Sequence, residues 1–286
     1  MAAPHFLVVD PAHYEIAYAI NPWMHPTDWS ANPEAHRRAA RQSFNDLTAA
    51  LRGLGATLEI LPGTPGAPDL VFPANAAVVL DGRALLARFL NPERQTEEPI
   101  FHQAFLNLQS RGLLREVALL PEGAIQEGAG DCIWDATRQH FWAGHGPRSN
   151  PEGITAVAQF FHQEIVPLEL ATPEFYHLDT CFSVLPAGEI LYYPTAFTPQ
   201  SRAEILNRVP SDQLIEATKE DANRFCVNMV CIANQIIMAQ AAPSLPDRLT
   251  QRGYKVTEIN LDPFIRSGGA AFCMTLRLDR ASTPTG

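Results

Sequence analysis

The stretch Ala76-Ala77-Val78-Val79-Leu80-Asp81-Gly82-Arg83-Ala84-Leu85-Leu86 reads as two short apolar strands folded back on an Asp-Gly turn. Asp-Gly between apolar runs is a strong hairpin signal, because both residues tolerate the left-handed backbone of a tight two-residue turn. Further hairpins are read at Asp131–Ala143 and at Val184–Tyr193, the latter turning on Pro186-Ala187-Gly188. Outward from these, His5–Val9, Thr57–Leu61, Lys255–Ile259 and Ala271–Leu278 read as strands. Helices are expected over Glu34–Leu54, Pro99–Arg111, Pro151–Phe161, Pro199–Arg208, Asn223–Met238 and Ser244–Arg252. Hairpins alternating with helices, with no Pro/Gly/Ser-rich linker, predict a single α/β domain over 1–280 with 281–286 as a frayed tail. Five strand–helix–strand units would fit a propeller-like closure, although their sequences are too dissimilar to form a repeat.

With 286 residues the chain can bury a substantial core. No run approaches about 18 consecutive apolar residues, so no membrane helix is expected. The opening Met1-Ala2-Ala3-Pro4-His5 has no basic segment followed by an apolar one, which speaks against secretion. Five scattered cysteines do not make a disulfide framework and point to a reducing cytoplasm. No Cys-x-x-Cys or close His pair suggests a metal site, and no cofactor is expected. A formal charge of −10 without a basic stripe argues against nucleic acid and permits a cationic small molecule. Neither nucleic acid nor a membrane is expected as a partner, and self-association into a homo-oligomer stays open.

Three clusters carry chemistry. Gly268-Gly269-Ala270-Ala271-Phe272-Cys273 ends a glycine-rich loop in a thiol, where backbone can approach a ligand closely. Glu127-Gly128-Ala129-Gly130-Asp131 threads glycines between two carboxylates. Tyr176-His177-Leu178-Asp179-Thr180 places His177 and Asp179 two residues apart, on one face of an expected strand. Alone, each has an ordinary reading: a core cysteine, solvated turn carboxylates, a satisfied core histidine. Together they supply a nucleophile, a general acid/base and carboxylates, the set that nucleophilic catalysis requires.

In that order, the three clusters resemble the guanidine-modifying superfamily of arginine deiminases, dimethylarginine dimethylaminohydrolases and amidinotransferases. The resemblance spans about His5 to Leu278. Ile20-Asn21-Pro22-Trp23-Met24 and Pro68-Asp69-Leu70-Val71-Phe72-Pro73-Ala74-Asn75 look most like the arginine dihydrolases, which convert arginine to ornithine, ammonia and carbon dioxide. The resemblance implies a pentein, a five-fold pseudosymmetric β/α propeller with its site on the axis. It implies Cys273 as nucleophile, His177 as general acid/base and Glu127 as the carboxylate orienting it. Asp179 would hold the guanidinium, Asp69 the α-ammonium, and Arg94 and Arg148 the α-carboxylate, with Asn21 also at the substrate. Asn75 stands where deiminases carry a second guanidinium-binding aspartate. Phe272 departs from the Lys or Arg that related enzymes tend to carry before the cysteine.

The substrate so implied is a small cationic guanidino compound, attacked by a thiolate. A second aspartate would oppose the ureido oxygen of citrulline, whereas the neutral amide of Asn75 can donate to it and serve a second hydrolysis. Dimethylargininase activity is the main enzymatic alternative, with arginine deiminase beside it. Asp179 speaks against a methylated nitrogen, and Phe272 offers an apolar wall in its favour. A non-catalytic arginine sensor is the alternative of another class.

Overall fold

The computed structural model describes residues 3–242 and 244–283, and its strands form five three-stranded sheets on one plan. Strand β1 (His5–Val9) runs parallel to β2 (Thr57–Leu61). Next, β3 (Ala77–Leu80) and β4 (Arg83–Leu86) make an antiparallel hairpin, and β4 pairs parallel with β5 (Glu116–Leu119). The same arrangement recurs in β6 (Cys132–Asp135), β7 (His140–His145) and β8 (Ile165–Glu169). It recurs in β9 (Phe182–Val184), β10 (Ile190–Tyr192) and β11 (Leu214–Glu216), then in β12 (Val230–Ile232), β13 (Gln235–Ala239) and β14 (Lys255–Ile259). The first sheet takes its antiparallel strand from the far end of the chain. There β15 (Leu276–Arg277) pairs with β1, Leu276 opposite Leu7 and Arg277 opposite Phe6. Five like sheets fit a pseudo-fivefold arrangement.

Each parallel pair needs a crossover, and a helix supplies it every time. These helices are Pro33–Gly53, Glu97–Ser110, Pro151–Phe161, Pro199–Arg208 and Ser244–Gln251. Three of them start alike, with Asn32, Asn150 or Thr198 capping a free N–H and proline at the first helical position. Their apolar faces make the core: Phe44, Leu47 and Leu51 pack with Phe6, Val8 and Ile237, and Phe101, Phe105 and Leu108 with Val79, Ala84 and Leu86. Asp81 and Gly82 both adopt positive φ, the tight turn read from their sequence.

The sequence reading needs correction in four places. The expected helix Asn223–Met238 is a short helix, Lys219–Asn223, followed by the β12–β13 hairpin turning at Ala233 with φ 49°. A strand pair buried on both faces is apolar almost throughout, a pattern shared with a buried helix. The third strands β5, β8 and β11 went unread, being short and partly exposed. Of the strand expected over Ala271–Leu278, only β15 is extended, and Cys273 lies in the turn before it. Asp179 likewise sits on a 3₁₀ turn, Leu178–Thr180, with His177 just before it, and neither is on a strand. Of the expected tail, 284–286 lie outside the described residues, and the Ser282 N–H donates to Asp81 at 2.8 Å.

Candidate active site

The turns entering the antiparallel edge strand of each sheet hold the candidate residues. Pro73–Ala76 precedes β3, Gly128–Gly130 precedes β6 and Leu178–Thr180 precedes β9, each a single 3₁₀ turn. The segments 225–229 and 270–275 lead into β12 and β15. Asn75, Glu127, His177, Asp179 and Cys273 all lie on or beside these turns and are all buried.

His177 Nε2 meets Glu127 Oε2 at 2.7 Å, while Asn75 Nδ2 approaches His177 Nδ1 at 3.4 Å. With Nε2–H donated to the carboxylate, Nδ1 is the nitrogen left to exchange protons with a substrate. Burial opposes ionisation of Glu127, but the Arg148 guanidinium at 3.0 Å and the His177 bond outweigh it, so its carboxyl is held well below the usual range. Asp131 accepts from the Leu178 N–H at 3.0 Å and the Ser149 hydroxyl at 2.6 Å, which fixes the turn behind His177. Burial nonetheless pushes Asp131 up to about 6.

Cys273 Sγ lies 3.2 Å from Asp179 Oδ2 and 3.1 Å from Asn228 Nδ2. Burial first, and the Asp179 charge second, raise the thiol well above its ordinary value. Burial likewise pushes Asp179 up to about 7, the thiol's hydrogen bond offsetting it only in part. Among the described residues, Asp179 Oδ1 is buried without a hydrogen-bond partner, and so is Asp69 Oδ1. A buried carboxylate oxygen left bare is costly unless something cationic comes to it. Asp69 Oδ2 accepts from the Tyr18 hydroxyl at 3.1 Å, and burial raises this carboxyl too.

Asn75 has one orientation. Arg94 can only donate, and its guanidinium reaches Asn75 Oδ1 at 2.8 Å, so the amide NH₂ must face His177 and the Glu127 carbonyl. A Cβ built on Gly130 would fall onto Asn75 Nδ2 and come 3.6 Å from Asp179 Oδ2. Asn75 and Asp179 therefore border one small space, and a residue larger than glycine at 130 would fill it. Gly268, with φ 86°, has the same meaning beside Tyr176 and Asn21.

The two arginines are placed differently. Arg94 holds Glu97 with Nε and a terminal nitrogen at 2.8 and 2.9 Å, besides Asn75 and the Asp69 carbonyl, and lies over the Phe89 ring. Burial pushes Glu97 up to about 7 in spite of Arg94. Arg148 donates to Glu127 and to the Ile20 carbonyl and stacks on Tyr176, with no bond from its Nε among the described residues. Asn21 is committed at both amide ends, to the Ser267 carbonyl and the Trp23 N–H, and so acts through the loop it fixes. Phe272 lines a cavity of about 390 Å³ with Phe6, Val79 and Ile133, apart from Cys273, Asp179 and Asn75. Asn228, Glu97, Tyr18 and Ser149 carry no role in the sequence reading, and Tyr176 enters it only as the first residue of the His177 cluster. Only Glu97, three residues after Arg94, carried a signal in its spacing. Among the described residues no three His, Cys, Asp or Glu side chains are grouped to hold a metal ion.

A family model described as "N,N dimethylarginine dimethylhydrolase, eukaryotic" matches residues 13–280. The chain belongs to that family. Within it, 37% identity over 278 residues links the chain to the bifunctional arginine dihydrolase/ornithine cyclodeaminase ArgZ of Synechocystis sp.. That match takes in 97% of this chain and 38% of ArgZ, so the chain spans under two fifths of that relative's length. The N(G),N(G)-dimethylarginine dimethylaminohydrolase of Mycobacterium tuberculosis is 29% identical over 96% of this chain and 85% of its own. Among solved structures, the product-bound N-terminal domain of ArgZ, an arginine dihydrolase, superimposes with a TM-score of 0.91 at 35% identity, covering 99% of this chain and 100% of that one. No helix among the described residues is long and apolar enough to cross a membrane.

Proposed function

We propose that the chain is an arginine dihydrolase, a cysteine-dependent hydrolase that takes L-arginine to L-ornithine, carbon dioxide and two ammonia. The observation that carries this reading is a pair bordering Gly130: the carboxylate Asp179, with one oxygen on the Cys273 thiol and the other without a partner among the described residues, and the amide Asn75, whose NH₂ Arg94 turns toward His177. The same reading takes the five sheets as the blades of a pentein propeller in one catalytic domain over 1–280, which the five like sheet orders support. Free cysteines suit a reducing cytoplasm.

Before substrate binds, the thiol donates to Asp179 and stays protonated. An incoming guanidinium takes over Asp179 and brings a positive charge beside the sulfur, which favours the thiolate, and the thiol proton passes to His177 Nδ1. The thiolate attacks the guanidino carbon, His177 protonates the departing nitrogen through Nδ1, and ammonia leaves a thiouronium on Cys273. Water deprotonated by the same nitrogen displaces the sulfur and gives citrulline. In a second round the thiolate attacks the ureido carbon, and the Asn75 NH₂ stabilises the charge that develops on oxygen. A second ammonia leaves, hydrolysis frees the carbamate, and its loss of carbon dioxide yields ornithine. At the other end Asp69 Oδ1 receives the α-ammonium. Arg148, with N–H groups to spare, receives the α-carboxylate alongside Arg94, and Asn21 steadies the loop above.

Dimethylargininase activity is the second reading, favoured by the family model. Against it stand the Asp179 carboxylate at the thiol and the position of Phe272 away from that carboxylate. Incubation with arginine or asymmetric dimethylarginine, with quantitation of ornithine, citrulline, ammonia and dimethylamine, separates the two. The dihydrolase gives about two ammonia per ornithine, one for each C–N cleavage. Citrulline without ornithine, or dimethylamine as the main product, rejects it.

A further inference from the structure

Four of the five strand-entering turns bring a residue to the reading just given: Asn75, Glu127, the His177–Asp179 pair and Cys273. The fifth turn, leading into β12, brings Asn228, which is wholly buried. Both of its amide hydrogens and its amide oxygen are engaged. Oδ1 accepts the Cys273 N–H at 3.1 Å, and Nδ2 donates to Cys273 Sγ and to the Asp179 carbonyl, both at 3.1 Å. Because the Cys273 N–H can only donate and the Asp179 carbonyl can only accept, no flipped amide satisfies this set. The Asn228 carbonyl also takes the Phe272 N–H at 3.4 Å.

We propose that Asn228 is a positioning residue for the nucleophile, holding the Cys273 turn against Asp179 and supplying the hydrogen bond that sustains the thiolate once substrate occupies Asp179. The inference rests on the guanidinium-binding role given to Asp179 above. A thiolate buried beside a carboxylate needs a donor. A lysine or imidazolium there would supply one but would repel a guanidinium, whereas an amide donates without charge. The titratable groups bearing on the sulfur are Asp179, at 3.2 Å, and Tyr176 on the neighbouring loop.

The test uses Asn228→Ala and the near-isosteric Asn228→Asp, which keeps an acceptor for the Cys273 N–H but presents no donor to sulfur. The rate of Cys273 alkylation by iodoacetamide is followed by peptide mass across pH, without substrate, beside kcat, KM and melting temperature. Both variants should move the alkylation midpoint upward, Asp more than Ala, by about one unit or more. In both, kcat for arginine should fall about 10–100-fold with KM changed less than about threefold. A midpoint unmoved in Asn228→Ala, with only a lowered melting temperature, reduces Asn228 to a structural anchor and overturns the proposal. If Asn228→Asp does not fold, Asn228→Ala decides alone. Since alkylation needs no substrate, a wild type that leaves arginine untouched rejects the dihydrolase reading without disturbing this test.

Discussion

Asp135 and Asp179 are both aspartates buried to within 1% exposure, and their surroundings could hardly differ more. Asp135 closes β6 and is full: Oδ1 accepts the Thr137 and Arg138 N–H groups, and Oδ2 accepts the Arg138 guanidinium and the Trp142 indole, all within 3.0 Å. Asp179 has one oxygen against the Cys273 thiol and the other bare. A carboxylate surrounded by donors maintains the hairpin that it ends. A carboxylate buried with an unused oxygen costs stability, and on the reading proposed above a cation offsets that cost. Burial of an acid is therefore a poor guide to function, and the count of unused lone pairs is a better one.

Substituting the two residues is the sharpest way to break this contrast. Asp179→Asn should lower arginine turnover by at least about 10³-fold and leave the melting temperature equal or higher, because the bare acceptor contributes nothing to the empty fold. Asp135→Asn should cost about 1–3 kcal/mol, read as a fall of roughly 3–10 °C in melting temperature, with kcat unchanged. Melting curves and steady-state kinetics on both variants decide it. A stable but inactive Asp135→Asn, or a collapsed Asp179→Asn, would erase the distinction.

A narrower change concerns Asn75. Asn75→Asp should still make citrulline, since a second carboxylate holds a guanidinium well, yet its ornithine-to-citrulline ratio at equal conversion should drop about tenfold or more. Equal ratios would mean that the inward amide is not what permits the second hydrolysis.

The mildest effect is on pH. Asp179 is pushed up to about 7 in the empty site, so a cation binding there must displace a proton below that pH. Arginine affinity for the Cys273→Ser variant should therefore rise with pH by up to about tenfold per unit and level off above about 7. Calorimetry in buffers of different ionisation enthalpy should show net proton release at pH 6. The empty protein should lose stability as pH climbs from about 4 toward 7, because the folded state holds this proton more tightly than the unfolded chain, and saturating arginine should offset the loss. A flat affinity profile would place the cation elsewhere.

Much of the fold and of the site is legible in the amino-acid sequence. Asp81-Gly82 marks its hairpin, the Asn-Pro and Thr-Pro pairs sit where helices begin, and Gly130 and Gly268 mark places where a side chain would collide with Asn75 or Tyr176. What stays hidden does so for physical reasons. β5 and β8 alternate too weakly over four or five residues, and the run from Cys226 to Met238 is apolar enough to pass for a helix. Asn228 is concealed in that run: an amide among apolar neighbours looks like an ordinary turn residue until the loop carrying Cys273 is folded onto it.

The pairing of β15 with β1 also orders events in time. Leu7 must wait for Leu276, 269 positions later in the chain, before its sheet has its antiparallel partner, and Cys273 enters just ahead of that strand. Contacts of such separation form late, because the intervening chain must already be ordered or be closed as one long loop. A chain growing from its N-terminus can thus raise the four later units while the β1 edge stays open and the proposed nucleophile has not yet been made. On the mechanism proposed above, activity arrives with the last strand, and a molecule shortened before Cys273 should be chemically silent however much of it is folded.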